Sequence, residues 1–165
     1  MSKLIFVVNF WLAATPARCQ NPRSWLATAL RAADTVWLVS HSNLPKLQGT
    51  DFLLRNGRLN SAILRQQKML DVFLRDSLFM ILTAVIEFDR VEEALCFDPH
   101  QAIVWSKNVK LSYIDCCFHC LRFMASSNLP KLQGKNFGYR KWAMLKNFFE
   151  KQGTGKSNRE GYGEK

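Results

Sequence analysis

The stretch Leu78-Phe-Met-Ile-Leu-Thr-Ala-Val-Ile86 is the most apolar run of the chain, and Asp76 and Glu87 close it on either side. A bilayer span needs about 20 apolar residues, so a run this short has to be buried in protein. Such a segment requires other elements to cover it, which implies a layered domain around a hydrophobic core. The chain can supply one: 165 residues, 48% hydrophobic and 22% charged, suit a single core. At this length about 68–70% of the unfolded surface can be buried, so neither a disulfide framework nor a structural metal is needed. Collagen, coiled-coil and mucin classes are excluded by composition.

Local patterns predict the elements. Asn21-Pro22 supplies an N-cap and a first-turn proline for a helix carrying Trp25, Leu26, Leu30 and Ala33 at helical spacing through Asp34. Thr35 to Ser40 is a β-branched and aromatic run that predicts a strand. From Asn60, a helix is expected with Ile63, Leu64, Met69, Leu70, Phe73 and Leu74 along one side. As a continuation of that helix the run 78–86 would exceed ordinary helix length, so it is predicted to be a buried strand. A short helix over Arg90 to Leu95 follows, then strands at Ala102 to Trp105, Val109 to Ile114 and Leu121 to Ala125. A helix from Tyr139 to Gln152 closes the series, with Gly153 at its end and a polar tail over 153–165.

Leu4 to Trp11 fits three readings: a strand buried on both faces, the core of a secretory signal ending near Ala17, or an acid-poor organelle leader. The buried strand is preferred. The chain then divides into 1–17, a single globular domain over 18–152, and the tail. Strands alternating with helices predict a small α/β domain with a mostly parallel sheet. The alternative, if residues 1–17 are removed, is an α+β or mostly helical domain.

Ser42-Asn-Leu-Pro-Lys-Leu-Gln-Gly49 recurs unchanged as Ser127 to Gly134, and Phe52 and Arg55 are matched by Phe137 and Arg140. The offset is too long for a solenoid and two copies are too few to stack. Leu-Pro sets a turn, and Leu44/Leu47 or Leu129/Leu132 can pin the loop. Each copy follows a predicted strand. On a shared carboxyl edge of a parallel sheet, Lys46 and Lys131 would converge on one anion. Duplicated scaffold is the preferred reading, because nothing in the loop is a phosphate cradle.

Gln152-Gly-Thr-Gly-Lys-Ser157 resembles half of a phosphate-binding loop, but Glu150 stands where the first glycine belongs and a helix, not a strand, precedes it. Cys96, His100, Cys117 and Cys120 could close a tetrahedral zinc site, with core packing as the preferred account and a Cys117/Cys120 redox pair as a further one. Ala102 occupies the position of a zinc deaminase's glutamate. Ser40-His41-Ser42 and the Cys117/His119 neighbourhood lack an orienting acid at recognisable spacing. No catalytic residue is therefore named, no small-molecule substrate is identifiable, and apart from zinc no cofactor is expected. An odd count of five cysteines and no N-x-S/T site favour a cytoplasmic or nuclear location, against the secretory and organellar readings.

Charge is the more informative signal. Lys plus Arg number 23 against 13 acids, a net charge of +10. Residues 76–98 hold six acids against Arg90, whereas 99–149 hold eight bases against the single acid Asp115. Those bases are Lys107, Lys110, Arg122, Lys131, Lys135, Arg140, Lys141 and Lys146, interleaved with Trp105, Tyr113, Phe123, Phe137, Tyr139 and Trp142. Single-stranded nucleic acid binders use this mixture. The expected function is a non-enzymatic basic interaction protein for an anionic macromolecule, RNA or other nucleic acid before an acidic protein. A secreted or membrane-surface interaction module and a small zinc-binding domain are the alternatives.

Overall fold

The structure, a computed structural model, describes residues 22–42, 52–84, 97–129, 132 and 137–155, with the backbone alone at 22–25. Its elements in chain order are α1 (Pro22–Arg31), β1 (Thr35–His41), β2 (Leu54–Arg55), β3 (Arg58–Leu59), β4 (Leu64–Met69), α2 (Val72–Thr83), β5 (Gln101–Lys107), β6 (Lys110–Cys117), β7 (Arg122–Ala125) and α3 (Tyr139–Lys151). Five strands form one sheet in the order β4-β1-β5-β6-β7, and every neighbouring pair is antiparallel. This is a small mixed domain of the α+β kind, so the expected parallel α/β sheet is corrected.

The reason lies in how the sheet is covered. Near-continuous apolar strands such as Val36 to Val39 and Ala102 to Trp105 mark burial on both faces, which is usual for parallel sheets. Here an antiparallel sheet achieves the same burial. On one face Leu38, Ile103, Trp105 and Ile114 pack with Leu26 and Leu30 of α1, Leu78 and Leu82 of α2, and Trp142, Leu145 and Phe149 of α3. On the other face Val39, Ala102, Val104 and Tyr113 pack with Leu53 and Ile63, from the segment that holds the small β2–β3 hairpin. That hairpin turns at Asn56 and Gly57, with φ 52° and 73°, and β5–β6 turns at Asn108 and Val109, with φ 49° and 66°. Successive left-handed residues are what a two-residue hairpin loop requires.

Two element predictions are also corrected. The apolar stripe assigned to a helix from Asn60 straddles a boundary: Leu64–Met69 pairs with β1 as an edge strand, and its Arg, Gln and Lys residues suit an exposed edge. The helix starts later, where the Asp71 carboxylate accepts a hydrogen bond from the Leu74 amide at 2.8 Å. From that start, Leu78 to Thr83 falls inside an ordinary 12-residue helix, and not in a strand. The predicted α1, β1, β5, β6, β7 and α3 are present within one to three residues of their expected bounds. The strand at Leu4 to Trp11 and the helix at Arg90 to Leu95 lie outside the described residues.

Cations from neighbouring helices close two helix C-termini. Arg75 of α2 donates to the Leu30 and Ala33 carbonyls at the end of α1, at 3.1 and 2.6 Å. Lys141 of α3 donates to the Leu82 carbonyl of α2 at 2.7 Å. Both satisfy carbonyls at the negative pole of a helix dipole. The end of α3 is closed by backbone: Gly153 N–H bonds to Glu150 O and Thr154 N–H to Phe149 O, with Gly153 at φ 77°. That is a Schellman turn. The Gly-Thr-Gly sequence that resembles a phosphate loop begins as this helix stop.

Candidate binding cleft and the buried pair behind it

All three histidines of the chain collect at one end of the sheet. His41 ends β1, His100 directly precedes β5, and His119 lies in the turn after β6. The register Ser40 to Gln101 to Cys116 aligns these positions across the three central strands.

His41 and Asp115 form a pair inside the protein. Their side chains are 0% and 1% exposed, and His41 Nε2 lies 2.9 Å from Asp115 Oδ1. Alternation puts both on the face that packs against Leu53 and Ile63, where the Phe52 ring meets His41 edge-on at 5.6 Å. Among the described residues, His41 Nδ1 and Asp115 Oδ2 have no hydrogen-bond partner. Burial pushes the Asp115 carboxyl above its ordinary range, opposed by the hydrogen bond and charge of His41, then by the charge of His100. Next along β6, Cys116 is a buried, unpaired thiol on the helix-covered face. Burial, and then the Asp115 charge, pushes that thiol well above its usual value.

The surface at this end is a cleft of about 390 Å³ between the sheet and α3. One wall is Asp98, His100 and Gln101; a second is the β6–β7 turn, through Phe118, His119 and Leu121; α3 contributes Tyr139 and Lys146. His100 Nδ1 lies 3.3 Å from the His41 carbonyl and Nε2 lies 3.2 Å from Asp98 Oδ2. Both oxygens can only accept, so pairing both at once requires a proton on each ring nitrogen. Phe118 anchors the turn to α3, meeting Trp142 at 5.8 Å and Phe149 at 5.2 Å, both edge-on. Cys117 and Cys120 are joined by a disulfide across the same turn, and the Cys120 amide donates to Cys117 Sγ at 3.1 Å.

The eight bases expected to form one surface are divided. Lys107 and Lys110 face each other across the β5–β6 hairpin, at the opposite end of the sheet from the cleft. Arg122 opens β7 at the cleft end, and Arg140 and Lys146 are exposed on α3, with Lys146 4.0 Å from Glu150. Lys141 is corrected: it is 2% exposed, because its ammonium caps α2 inside the core. Lys131 and Lys135 lie outside the described residues, as do Lys46 and Cys96. Of the suggested zinc ligands, Cys117 and Cys120 are bonded to each other, and in that state neither sulfur is a thiolate ligand. Among the described residues no group of three or more His, Cys, Asp or Glu is placed to hold a metal ion.

Most of the first copy of the repeat, 43–49, lies outside the described residues, so the two copies compare only through the strands that lead into them. β1 and β7, which precede the two copies, run antiparallel to one another, so the chain leaves them at opposite ends of the sheet. In the second copy Leu129 and Leu132 are buried in the helix-side core, and Asn128 donates to the Leu111 carbonyl and the Ser112 hydroxyl.

The His41–Asp115 pair is what sequence reasoning missed. The acid that faces His41 is 74 residues away. One signal was available: Asp115 is the lone acid of residues 99–149 and sits between apolar and cysteine neighbours in a strand. No family model, curated protein or solved structure matches this chain.

Proposed function

We propose that this is a basic binding domain for an anionic macromolecule, single-stranded RNA in the first place, and that the cleft beside α3 receives it. The observation that carries this reading is the lining of the cleft. Two rings, Phe118 and Tyr139, stand among the donors His100, His119, Gln101 and Lys146. Single-stranded nucleic acid is held by that combination, with bases against rings and phosphates against cations. Arg140 and Arg122 extend the positive charge beyond the cleft, and the net charge of +10 favours approach of any polyanion.

Fluorescence anisotropy with a labelled single-stranded RNA oligonucleotide tests this. With about three phosphate contacts, affinity should fall about twentyfold between 50 and 200 mM salt. Lys146→Glu should weaken binding at least about fivefold at low salt, the loss of one contact plus repulsion. Absence of binding at 50 mM salt, or affinity indifferent to salt, refutes the reading.

The interaction-module alternative rests on a different observation. Phe73 is 83% exposed, and Val72, Met80 and Met69 are also largely exposed on and beside α2. Such side chains mark protein contacts when they cluster. No helix among the described residues is long and apolar enough to cross a membrane. Phe73→Asp would abolish association with a protein partner while leaving RNA binding unchanged.

A further inference from the structure

We propose that the Cys117–Cys120 disulfide is a redox-reversible clasp on the wall of the cleft: a dithiol opens it, and the turn carrying Phe118 and His119 then loosens its hold on α3. That this changes ligand binding rests on the functional reading above; that it changes the turn does not.

The turn has two opposing influences built into it. Its last residue, Leu121, is held at φ 52°, a left-handed conformation that disfavours an L side chain and that no glycine relieves. The disulfide opposes opening by closing a four-residue loop; chain entropy gives such a link a factor of about twenty in the closed-to-open ratio. Reduction removes that factor and leaves the Leu121 strain in place. Among the contacts that then hold the turn are the Phe118 ring against Trp142 and Phe149 and the Leu121 side chain against the helix-side core. Phe118, His119 and Leu121 are also the cleft wall, so loosening the turn dismantles the side of the site that faces Tyr139 and Lys146.

The chemistry balances with a dithiol as the only co-reactant. A dithiol thiolate attacks Cys120 Sγ, the S–S bond breaks, and Cys117 leaves as a thiolate that the Cys120 amide is already placed to stabilise. The second reagent sulfur then displaces the mixed disulfide, releasing Cys120. The reagent ends as its cyclic disulfide; the protein gains two electrons and two protons as two thiols. Both cysteines are 1% exposed, so attack waits for the turn to open. Cys116, buried on the opposite face and held in its thiol form, takes no part.

The test uses the full chain, oxidised and after treatment with millimolar dithiothreitol without denaturant. Mass spectrometry after alkylation should show two new thiols, mapping to Cys117 and Cys120. Hydrogen exchange in peptides covering 117–122 should accelerate about tenfold or more, following the lost loop-closure factor, with 101–107 unchanged. The double variant Cys117→Ser/Cys120→Ser should exchange fast without dithiol and ignore it. Affinity for single-stranded RNA should drop at least about threefold on reduction, part of the same factor. If the thiols appear only after denaturation, or exchange over 117–122 is the same in both states, the disulfide is a static cross-link and the proposal is wrong. If RNA binds neither state, the functional reading falls while the exchange comparison still decides the clasp.

Discussion

Replacing one member of the His41–Asp115 pair should be far more damaging than replacing both. At 2.9 Å and an effective dielectric near 20, the gross attraction of a fully charged pair is about 6 kcal/mol. Removing two groups from water costs several kcal/mol each, so the net value of the pair is small. His41→Leu strips Asp115 of its side-chain partner in a fully buried site, at a cost of about 3–5 kcal/mol. Asp115→Val newly orphans the Nε2 nitrogen of His41, at about 1–3 kcal/mol for one buried polar group. The double variant removes the desolvated groups and the two orphaned atoms together, and should lie within about 1 kcal/mol of the parent or above it. Urea unfolding at neutral pH reads all four corners of the cycle. With m near 2 kcal/mol/M, His41→Leu should lose about 2 M in midpoint and Asp115→Val about 1 M, while the double variant recovers both. Costs that simply add would show that the two side chains do not meet, and would refute the geometry.

The same carboxyl fixes a pH dependence. Its folded pKa is raised above the unfolded 3.8, so between those two values the folded state binds more protons than the unfolded one. Stability contributed by this group is complete below 3.8 and is lost as pH rises through the raised value. Asp115→Asn cannot titrate. The stability difference, parent minus variant, should therefore be flat at low pH and decline across that window; a difference that grows with pH would mean that pairing with His41 outweighs burial.

Two further substitutions probe the backbone. Lys141→Met keeps the stem and deletes the ammonium, leaving the Leu82 carbonyl without its cap; unfolding free energy should fall by about 1–3 kcal/mol in chemical denaturation, and a loss under about 0.5 would deny that bond a structural role. Val109→Gly relieves a β-branched residue at φ 66° that is 94% exposed and has no packing to lose, so thermal unfolding should report a gain of about 1 kcal/mol.

What could be read from residues alone was decided by how local the signal is. α3 was legible because Tyr139, Trp142, Leu145 and Phe149 recur on one side and Gly153 stops the helix, all within one segment. The boundary between β4 and α2 was not, because the apolar residues from Ile63 to Leu74 imitate a helical stripe across two elements of different type. Asp71, with its carboxylate on the Leu74 amide, is the local feature that separates them. Asn56-Gly57 is similarly a hairpin signal between Arg55 and Arg58 that outweighs the lack of long flanking strands. Parallel versus antiparallel pairing was beyond reach, since a strand covered on both faces has the same composition in either. The cleft depends on that pairing: only an antiparallel β1–β5–β6 register brings His41, His100 and the turn after Cys117 to the same end.

The repeat shows how little of a segment's role its own residues determine. Phe52 and Phe137 occupy matched positions after identical octapeptides. Yet Phe52 packs beneath the sheet against His41, while Phe137 packs on the helix side against Phe123 and Trp142. Arg55 and Arg140 follow at the same spacing, one in a strand and the other in the first turn of a helix. A peptide selected to grip one ligand in duplicate would have to present its side chains alike. The described residues that follow the two copies diverge in face and in secondary structure, and the strands that precede them run in opposite directions. What the two copies share in sequence is a pair of leucines around a proline, and in the second copy those leucines, Leu129 and Leu132, are buried in the core. Apolar anchorage of a turn asks only for a hydrophobic surface nearby, and this sheet has one on each face.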